Sequence, residues 1–510
     1  MKKTIFKATA LVLGLTLIAK ALGFLKSIIQ ASYFGADIYT DAYNVANGFV
    51  SNILFMLLSA ISISFVPQYI QSKQDKQEKE FATKAVTFMS IGAVAISALL
   101  ILAAPMIVRL LAPSYTAEQL SITEKYFRVL VLGLIFALNA NMFTSLLNAE
   151  KIYGYSSVGS IVNSLTLIVF ILLFSNVMGV WVLVISMAGS YFIQWLILYI
   201  RGRKYASISL KYGLYDKRIR ILLIQALPVL LGQATVEINQ VVDRTLLSSV
   251  GEGIVTAVSY SAILYQFVTQ LIGQPIQTVL FTELSEAGAA KDTKRISDLI
   301  TKSYKIILII CIPIVIVMLF GSADIVRIVY GHGKFTETAV ANCAIGLQMY
   351  SLCLLPVCIK KAVTKAYYAQ NDTKRPMIIG TLEVILNIGL SIWWVRYWGV
   401  YGVVGATAAA SLVFIIVMLI DYNLKYDRVL TLKEICSYWR IVVGCVVAIV
   451  AIKFFSTVKI SSALISFILK TGITFLVFYF VLLIAKEPSF MHAFKKVRQI
   501  IKNKLGKRRA

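Results

Sequence analysis

A succession of long apolar segments constrains this chain more than any other feature of its sequence. A helix that crosses a bilayer needs roughly 20 mostly apolar residues, and about fourteen segments reach that length. They lie near residues 8–34, 40–70, 83–112, 122–149, 155–177, 180–200, 219–249, 254–286, 300–329, 338–369, 376–397, 400–424, 436–456 and 460–485. Hydrophobic residues make up 59% of the chain, more than a soluble core can use. The sequence therefore predicts an all-α polytopic membrane protein with about fourteen transmembrane helices.

The charged residues give the predicted helices an orientation. The formal net charge is +26, and basic residues concentrate in alternate loops, for example around residues 73–79 and 201–220. The intervening loops are short and nearly free of cations, apart from Lys334, Arg396 and Lys459. Because cytoplasmic loops carry an excess of lysine and arginine, the pattern predicts that both termini are cytoplasmic. It also assigns the basic charge to anionic lipid headgroups and not to nucleic acid.

The chain resembles itself at an offset of about 215–220 residues. The segment at 146–168 is echoed at 367–390, and the segment at 180–199 is echoed at 400–419. A regular internal repeat is typical of duplicated transporter architectures, so the sequence predicts two six-helix lobes and an appended helix pair. The predicted boundaries are 1–205 for the N-terminal lobe, 206–218 for a basic cytoplasmic linker, 219–425 for the C-terminal lobe, 426–485 for the helix pair and 486–510 for a basic amphipathic cytoplasmic tail.

Two lysines lie inside the first apolar segment. Lys20 and Lys26 interrupt the run from Leu11 to Phe34, and a cation near the centre of a spanning helix costs about 2.5–3.5 kcal/mol on insertion scales. One interpretation is that both side chains snorkel to a headgroup layer. We favour the other, because Lys20 lies deep in the segment: both face a water-filled cavity in the bundle and bind an anion.

Ionisable and amide side chains in later segments are candidates for ion coupling. Glu237, Asp243 and Arg244 lie in the seventh segment, with Glu237 and Arg244 on one helical stripe. They form either an ion pair that hides charge in the bundle or a cation or proton site. Glu383 and Asn387 are a second candidate pair four residues apart, and their oxygens suit a hard cation such as Na⁺.

Motifs for catalysis and for ATP binding are missing from the sequence. The only histidines, His332 and His492, are far apart, which excludes an HExxH metal site. The run GHGK at 331–334 lacks the upstream glycine and the following serine or threonine of a Walker A loop. The sequence therefore predicts a transporter that is not an enzyme and that holds no cofactor.

A family resemblance extends in order over nearly the whole chain. It is carried by KALGFLKSIIQASYFGADIYTDAYNVA near the N-terminus and then by SFVPQYI, VVDRTLLSSV, VLFTELS, IVYGHGKFT and YYAQNDTKRP. These runs resemble the MurJ/MviN family of lipid II flippases, within the multidrug/oligosaccharidyl-lipid/polysaccharide (MOP) exporter superfamily. The resemblance implies two six-helix lobes around a V-shaped central cavity, with the extra helix pair forming a groove for a lipid tail.

The resemblance also implies a function. Members of the family move an undecaprenyl-pyrophosphate-linked glycan, lipid II of peptidoglycan synthesis, from the inner to the outer leaflet of the bacterial cytoplasmic membrane. They do so by alternating access, driven by membrane potential or by an ion gradient such as Na⁺ or H⁺. We expect a monomer whose partners are the cargo lipid and the anionic lipids around its basic loops.

Site residues follow from the resemblance position by position. The substrate-binding residues that it implies are Lys20, Lys26, Asp41, Arg244 and Lys361. Three family features are absent, because the second segment reads NILFMLLSAIS without charge, the eighth-helix arginine falls near Leu264, and the usual acid after the second cation is Ser27. Two alternative functions therefore stay open: a flippase for another lipid-linked repeat unit (capsule, O-antigen or teichoic precursor), and a cation-coupled drug exporter of the same superfamily.

The C-terminal tail has the pattern of an interfacial helix. Apolar residues recur at helical spacing and basic residues fill the positions between them, from Phe490 to Leu505. Such a helix lies in the membrane interface, held by anionic lipid. The alternative is a solvated basic tail that only fixes the topology.

Overall fold

The computed structural model describes residues 2–492, apart from residues 215, 427–428, 430–435 and 459–461, and also residues 494–495. Within this part of the chain every regular element is a helix. The helices are, in chain order, α1 Lys2–Phe34, α2 Ile38–Gln74, α3 Glu78–Leu102, α4 Ala104–Leu111, α5 Ala117–Ala149, α6 Tyr155–Met178, α7 Trp181–Gly202, α8 Lys217–Ser248, α9 Ile254–Ala289, α10 Thr293–Phe320, α11 Ser322–Tyr330, α12 Glu337–Ala369, α13 Lys374–Lys425, α14 Trp439–Phe455 and α15 Ala463–Ile484.

Twelve of the described helices are long and apolar enough to cross a membrane. They confirm the prediction of an all-α polytopic membrane protein. The count of fourteen stays a prediction, for two reasons. Two predicted spans fall within α13, on either side of Gly399, whose backbone is not helical (φ 50°, ψ −123°). In addition, α14 has only 17 residues, which is short for a membrane span.

The backbone repeats at the same offset as the sequence. Four pairs of left-handed residues, each about 215–220 residues apart, interrupt or end helices at matching places: Gly35 and Gly253, Lys76 and Lys291, Lys151 and Asn371, and Gly179 and Gly399. The last pair even shares an unusual ψ, −139° at Gly179 and −123° at Gly399. A glycine adopts this conformation without the steric cost that a Cβ would bring. The two parts of α13 therefore correspond to α6 and α7.

The chain divides into two compact units. Unit 1 contains Met1–Ser259 and His332–Ala339, and unit 2 contains Tyr260–Gly331 and Val340–Ala510. Helix α8 belongs to unit 1 because it packs along α2. The predicted boundaries of the two sequence repeats stay predictions.

In unit 1, α5 lies at the centre of the packing, against α2, α3 and α7. Phe65 of α2 stacks on Phe81 of α3, with ring centroids 5.9 Å apart. Asn141 of α5 donates to Ser62 Oγ at 3.0 Å and to the Leu58 carbonyl at 3.1 Å, both on α2. Such hydrogen bonds help to hold helices together in lipid, where apolar surface alone does not favour protein over lipid contacts.

In unit 2, a buried ion pair joins the appended helices to α11. Lys470 of α15 donates to Asp324 Oδ2 at 2.6 Å, and Ser466 donates to the same oxygen at 2.8 Å. Phe478 of α15 is fully buried in an apolar cluster formed with α10 and α14. The Asp324 carboxylate is paired with Lys470 and hydrogen-bonded to Ser466, so no uncompensated ion remains in the bundle. These contacts fix the position of α15 against α11.

The described part of the C-terminal tail is partly helical, and its predicted interfacial binding stays a prediction. Residues 488–492 and 494–495 are helical, and the Phe490 ring stacks on Tyr479 with centroids 5.3 Å apart. Residue 493 and residues 496–510, which carry most of the predicted amphipathic pattern, lie outside the described residues.

A cluster of charged groups surrounds Asp372, in the turn between α12 and α13. Its Oδ2 accepts from Lys425 Nζ at 2.6 Å and from the Tyr426 hydroxyl at 3.0 Å, and its Oδ1 accepts from the Arg375 amide at 3.2 Å. Burial raises the pKa of the Asp372 carboxyl, but these hydrogen bonds outweigh it, so the pKa lies below its ordinary value.

We expect Asp372→Asn to destabilise the protein in a pH-dependent way. A carboxyl whose folded pKa is depressed adds stability above its unfolded pKa, about 3.9, and that stability is lost as the pH falls through the folded pKa. Thermal unfolding of the detergent-solubilised protein should therefore separate parent and variant at pH 7 and bring them together at low pH. A difference that does not change with pH would contradict the expectation.

Candidate functional site

The two lysines of α1 are half-buried, and one of them is held by a chain of hydrogen bonds. Lys26 Nζ donates to Asn163 Oδ1 of α6 at 3.1 Å. The Asn163 amide nitrogen in turn donates to Ser190 Oγ at 2.9 Å and to Met187 Sδ at 3.0 Å, both on α7. Because the nitrogen has its own acceptors, the amide oxygen is directed at the Lys26 ammonium.

A polar network joins α2 to α8. With its amide oriented to satisfy both ends, Asn52 donates to Glu237 Oε2 at 3.2 Å and to the Gly48 carbonyl at 3.0 Å, and it accepts from Arg244 Nη1 at 3.2 Å. Gln240 also donates to Glu237 Oε2, at 3.3 Å. A Cβ at residue 48 would lie 2.5 Å from Arg244 Nη1, so a larger residue there would displace the guanidinium from its present position. The network connects the two charges that the sequence placed on one stripe.

Asn52 is the member of this network that sequence reasoning missed. It follows Gly48 by four residues in an apolar segment, and a neutral amide carries no charge signal. The signal that could have identified it is an asparagine inside an apolar segment, since burying an unpaired amide in lipid is unfavourable and a hydrogen-bond partner is therefore expected.

Asp243 lies one residue from Arg244 and is half-buried. Asn239 Nδ2 is 3.4 Å from its Oδ2. Among the described residues no group of three or more histidine, cysteine, aspartate or glutamate side chains is arranged to hold a metal ion. A cation at Asp243 would therefore depend on amide and backbone oxygens.

Asp41 has a structural contact at the start of α9. Its Oδ1 accepts from the Thr256 amide at 2.8 Å, and Asn44 Nδ2 donates to Thr256 Oγ1 at 2.9 Å. The side chain is 2% exposed, so it acts much as a capping group for unsatisfied amides of the first helical turn. Its predicted role in substrate binding stays a prediction.

In unit 2 the structure pairs Lys360, and not its neighbour Lys361, with Glu383. Lys360 Nζ lies 2.6 and 2.5 Å from the two Glu383 carboxylate oxygens, and Ser411 Oγ donates to Glu383 Oε1 at 3.1 Å. Adjacent residues project about 100° apart on a helix, which explains why only one lysine meets α13. Among the described residues, Lys361 makes no ion pair. The sequence did not single out Lys360.

Asn387 was predicted to coordinate an ion together with Glu383. It is buried, and its Oδ1 accepts from Ser391 Oγ at 3.1 Å. Glu383, four residues earlier, already has a cation partner in Lys360. The arrangement as it stands neutralises Glu383 within the protein.

The predicted site residues fall in both units. Unit 1 holds Lys20, Lys26, Asp41, Glu237, Asp243 and Arg244, and unit 2 holds Lys361, Glu383 and Asn387. The α1 lysines and Arg244 supply cationic donors within an apolar bundle. In a poorly hydrated environment such donors bind phosphate oxygens strongly.

Comparison with known proteins shows a single family over most of the chain. The family model described as "Lipid II flippase MurJ" matches residues 30–474. A "Probable lipid II flippase MurJ" of Treponema pallidum is 28% identical over 432 residues, which cover 81% of this chain and 80% of the relative.

Solved structures share the fold. A structure described as "Lipid II flippase MurJ, inward closed conformation" superposes with a TM-score of 0.80 at 22% identity, covering 92% of this chain and 98% of the other. An inward-facing multidrug resistance MATE transporter of the MOP superfamily gives a TM-score of 0.66 at 15% identity, covering 82% and 97% of the two chains.

Proposed function

The chain belongs to the MurJ family of lipid II flippases, and we propose that it uses the cations of α1 to carry the pyrophosphate of lipid II across the cytoplasmic membrane. The observation that carries the proposal is the pair Lys20 and Lys26 inside an apolar helix. A pyrophosphate requires cationic donors where water is scarce. Alternating access would present these donors first to the inner leaflet and then to the outer leaflet.

Asn163 of α6 positions the Lys26 ammonium for anion binding. Asn163 accepts a hydrogen bond from Lys26 Nζ at 3.1 Å but brings no negative charge, so the ammonium is positioned without being neutralised. A carboxylate at the same place would compete with the phosphate for the cation. The amide therefore supports anion binding better than an ion pair would.

The charge pattern supports one orientation of the chain in the membrane. With basic residues concentrated in alternate loops, we propose that both termini are cytoplasmic and that anionic lipids contact the basic loops and the tail. We further propose that the protein works as a monomer and that transport involves no catalytic step.

The membrane potential can supply the energy for the proposed transport. Moving one elementary charge across the membrane corresponds to about 2.3 kcal/mol per 100 mV. Since the sequence has no Walker A motif, we propose that the potential or an ion gradient drives the cycle, with no bound cofactor.

We expect a sodium dependence of transport to require Asp243. Its carboxylate suits a hard monovalent cation, which would replace the Asn239 amide nitrogen that lies 3.4 Å from Oδ2. Flipping in proteoliposomes is measured with and without an inward sodium gradient, for the parent and for Asp243→Asn. A gradient that accelerates the parent and not the variant would support coupling here. A rate that ignores both sodium and the substitution would leave Asp243 with a structural role only.

A different lipid-linked glycan is the alternative cargo. The second and eighth segments lack the arginines of the family, so the chain offers fewer anion-binding groups than the resemblance implies. Rescue of a strain depleted of its own lipid II flippase, with fluorescent lipid II flipping in vesicles, tests the proposal. Rescue together with flipping supports lipid II. Failure of both, with flipping of another undecaprenyl-linked repeat unit, would support the alternative.

A further inference from the structure

A cavity of about 420 Å³ lies at one end of unit 1. The turn between α1 and α2, the first turns of α5, the turn between α6 and α7 and the segment His332–Ala339 form its walls. From the charge pattern we expect this end to face outward. The lining residues that matter here are Asp37, Tyr39, Lys125, Tyr126, Trp181 and Lys334.

Two cations without acidic partners line this cavity. Lys125 and Lys334 are exposed, and neither forms an ion pair with any carboxylate of the described residues. The one acid in the lining, Asp37, caps α2, because its Oδ1 accepts from the Thr40 amide at 2.8 Å and from the Thr40 hydroxyl at 2.9 Å. Topology gives no reason for cations here, since the positive-inside rule depletes lysine on the outer side.

Backbone contacts fix the position of Lys334. Its amide donates to the Ser32 carbonyl at 2.8 Å, near the end of α1. Gly333 and Gly35 have left-handed backbones, and a Cβ on either would lie 2.2 Å from the Ser32 carbonyl oxygen or 2.4 Å from the Lys334 carbonyl oxygen, respectively. The backbone around Gly333 and the backbone around Gly35 therefore pack too closely for a side chain at either glycine. This close packing keeps the backbone of Lys334 at the cavity.

Aromatic rings complete the lining. Tyr126 is buried, and its ring meets the Trp181 ring edge to face, with centroids 4.8 Å apart. Tyr39 is 45% exposed. Tryptophan and tyrosine favour the level of lipid headgroups, so we expect the two ammonium groups to lie near the level of the lipid phosphates.

We propose that this cavity binds the phosphate-bearing headgroup of an anionic lipid in the outer leaflet. The two lysines would contact the phosphate oxygens, and the rings of Tyr39 and Trp181 would face the adjoining glycerol or sugar. Two lipids share this chemistry: a resident phospholipid such as phosphatidylglycerol, and a polyprenyl pyrophosphate delivered by transport. The proposal does not depend on the α1 cations, because the cavity is lined by other side chains.

The test measures lipid binding at equilibrium, without transport. The full chain with Lys20→Ala and Lys26→Ala is purified in neutral detergent, so that the α1 lysines do not contribute. Fluorescent phosphatidylglycerol and fluorescent undecaprenyl pyrophosphate are titrated separately, and the double variant Lys125→Gln/Lys334→Gln is compared with this background. Two cations near a lipid headgroup correspond to about 30-fold in affinity, so we expect Kd to rise by about that factor.

A matched control removes the same charge elsewhere. Arg396 and Lys453 of unit 2 are exposed and lie at predicted outer ends of membrane spans, outside the basic loops and the cavity, so Arg396→Gln/Lys453→Gln should leave both Kd values within twofold. Weakening for undecaprenyl pyrophosphate alone would support the site and identify the transported lipid as its ligand. Weakening for phosphatidylglycerol would support it with a resident lipid. Unchanged affinity for both lipids, or equal weakening in the control, would overturn the proposal.

Discussion

Replacing Lys20 or Lys26 with alanine is expected to cause a large loss of lipid II export while leaving the protein folded in the membrane. A hydrogen bond to a charged group contributes about 1.5–3 kcal/mol, which corresponds to a loss of about 10- to 100-fold in flipping rate. Arginine at either position should be tolerated, since it keeps the charge and adds donors. Flipping of fluorescent lipid II in proteoliposomes measures the effect, and Lys79→Ala, at an exposed lysine in the first turn of α3, serves as the control.

The contact between Lys26 and Asn163 sharpens this expectation. Asn163→Asp keeps the shape of the side chain and its acceptor 3.1 Å from the ammonium, but it adds a negative charge that neutralises Lys26. It should therefore lower the affinity for lipid II, whereas Asn163→Ser should have a smaller effect. Normal transport by both alanine variants at Lys20 and Lys26 would refute the proposed anion-binding role.

The helices of this fold could be predicted from the sequence because the lipid bilayer restricts the kinds of segment that can span it. A segment that spans the bilayer must satisfy its backbone internally and expose apolar side chains, so composition and length locate the helices. The repeat was also visible in the sequence, and the matching backbone at Gly179 and Gly399 has the same basis, since both glycines permit a turn that other residues disfavour.

The partners of the charged residues did not follow from the sequence. Helical periodicity places a residue on a face, but it does not say which helix that face meets. Lys26 is held by Asn163 on α6, and Arg244 by Asn52 on α2. Both partners are neutral amides in apolar segments, which hydropathy patterns pass over. Asp41 was assigned to substrate by the family resemblance, whereas its contact with Thr256 depends on where α9 begins.

The adjacent lysines of α12 provide the second large expected effect. Lys360→Met should destabilise the protein by about 3–5 kcal/mol, because it leaves the buried Glu383 carboxylate without its cation. Lys361→Met, one residue away and without an ion pair among the described residues, should leave the stability nearly unchanged. Methionine suits both positions, since it is unbranched and favours helices. Thermal unfolding in detergent measures both effects.

Transport assays should distinguish the same two lysines by a loss of activity at Lys361, where no loss of stability is expected. If Lys361 binds substrate, as the resemblance implies, Lys361→Met should lose flipping while remaining stable. The double variant Lys360→Met/Glu383→Gln removes both charges of the pair, so it should recover most of the stability that Lys360→Met loses. If that double variant also transports at the parental rate, Glu383 serves structure and does not coordinate a coupling ion. Equal destabilisation by Lys360→Met and Lys361→Met would show that the contact with Glu383 is not what stabilises this part of unit 2.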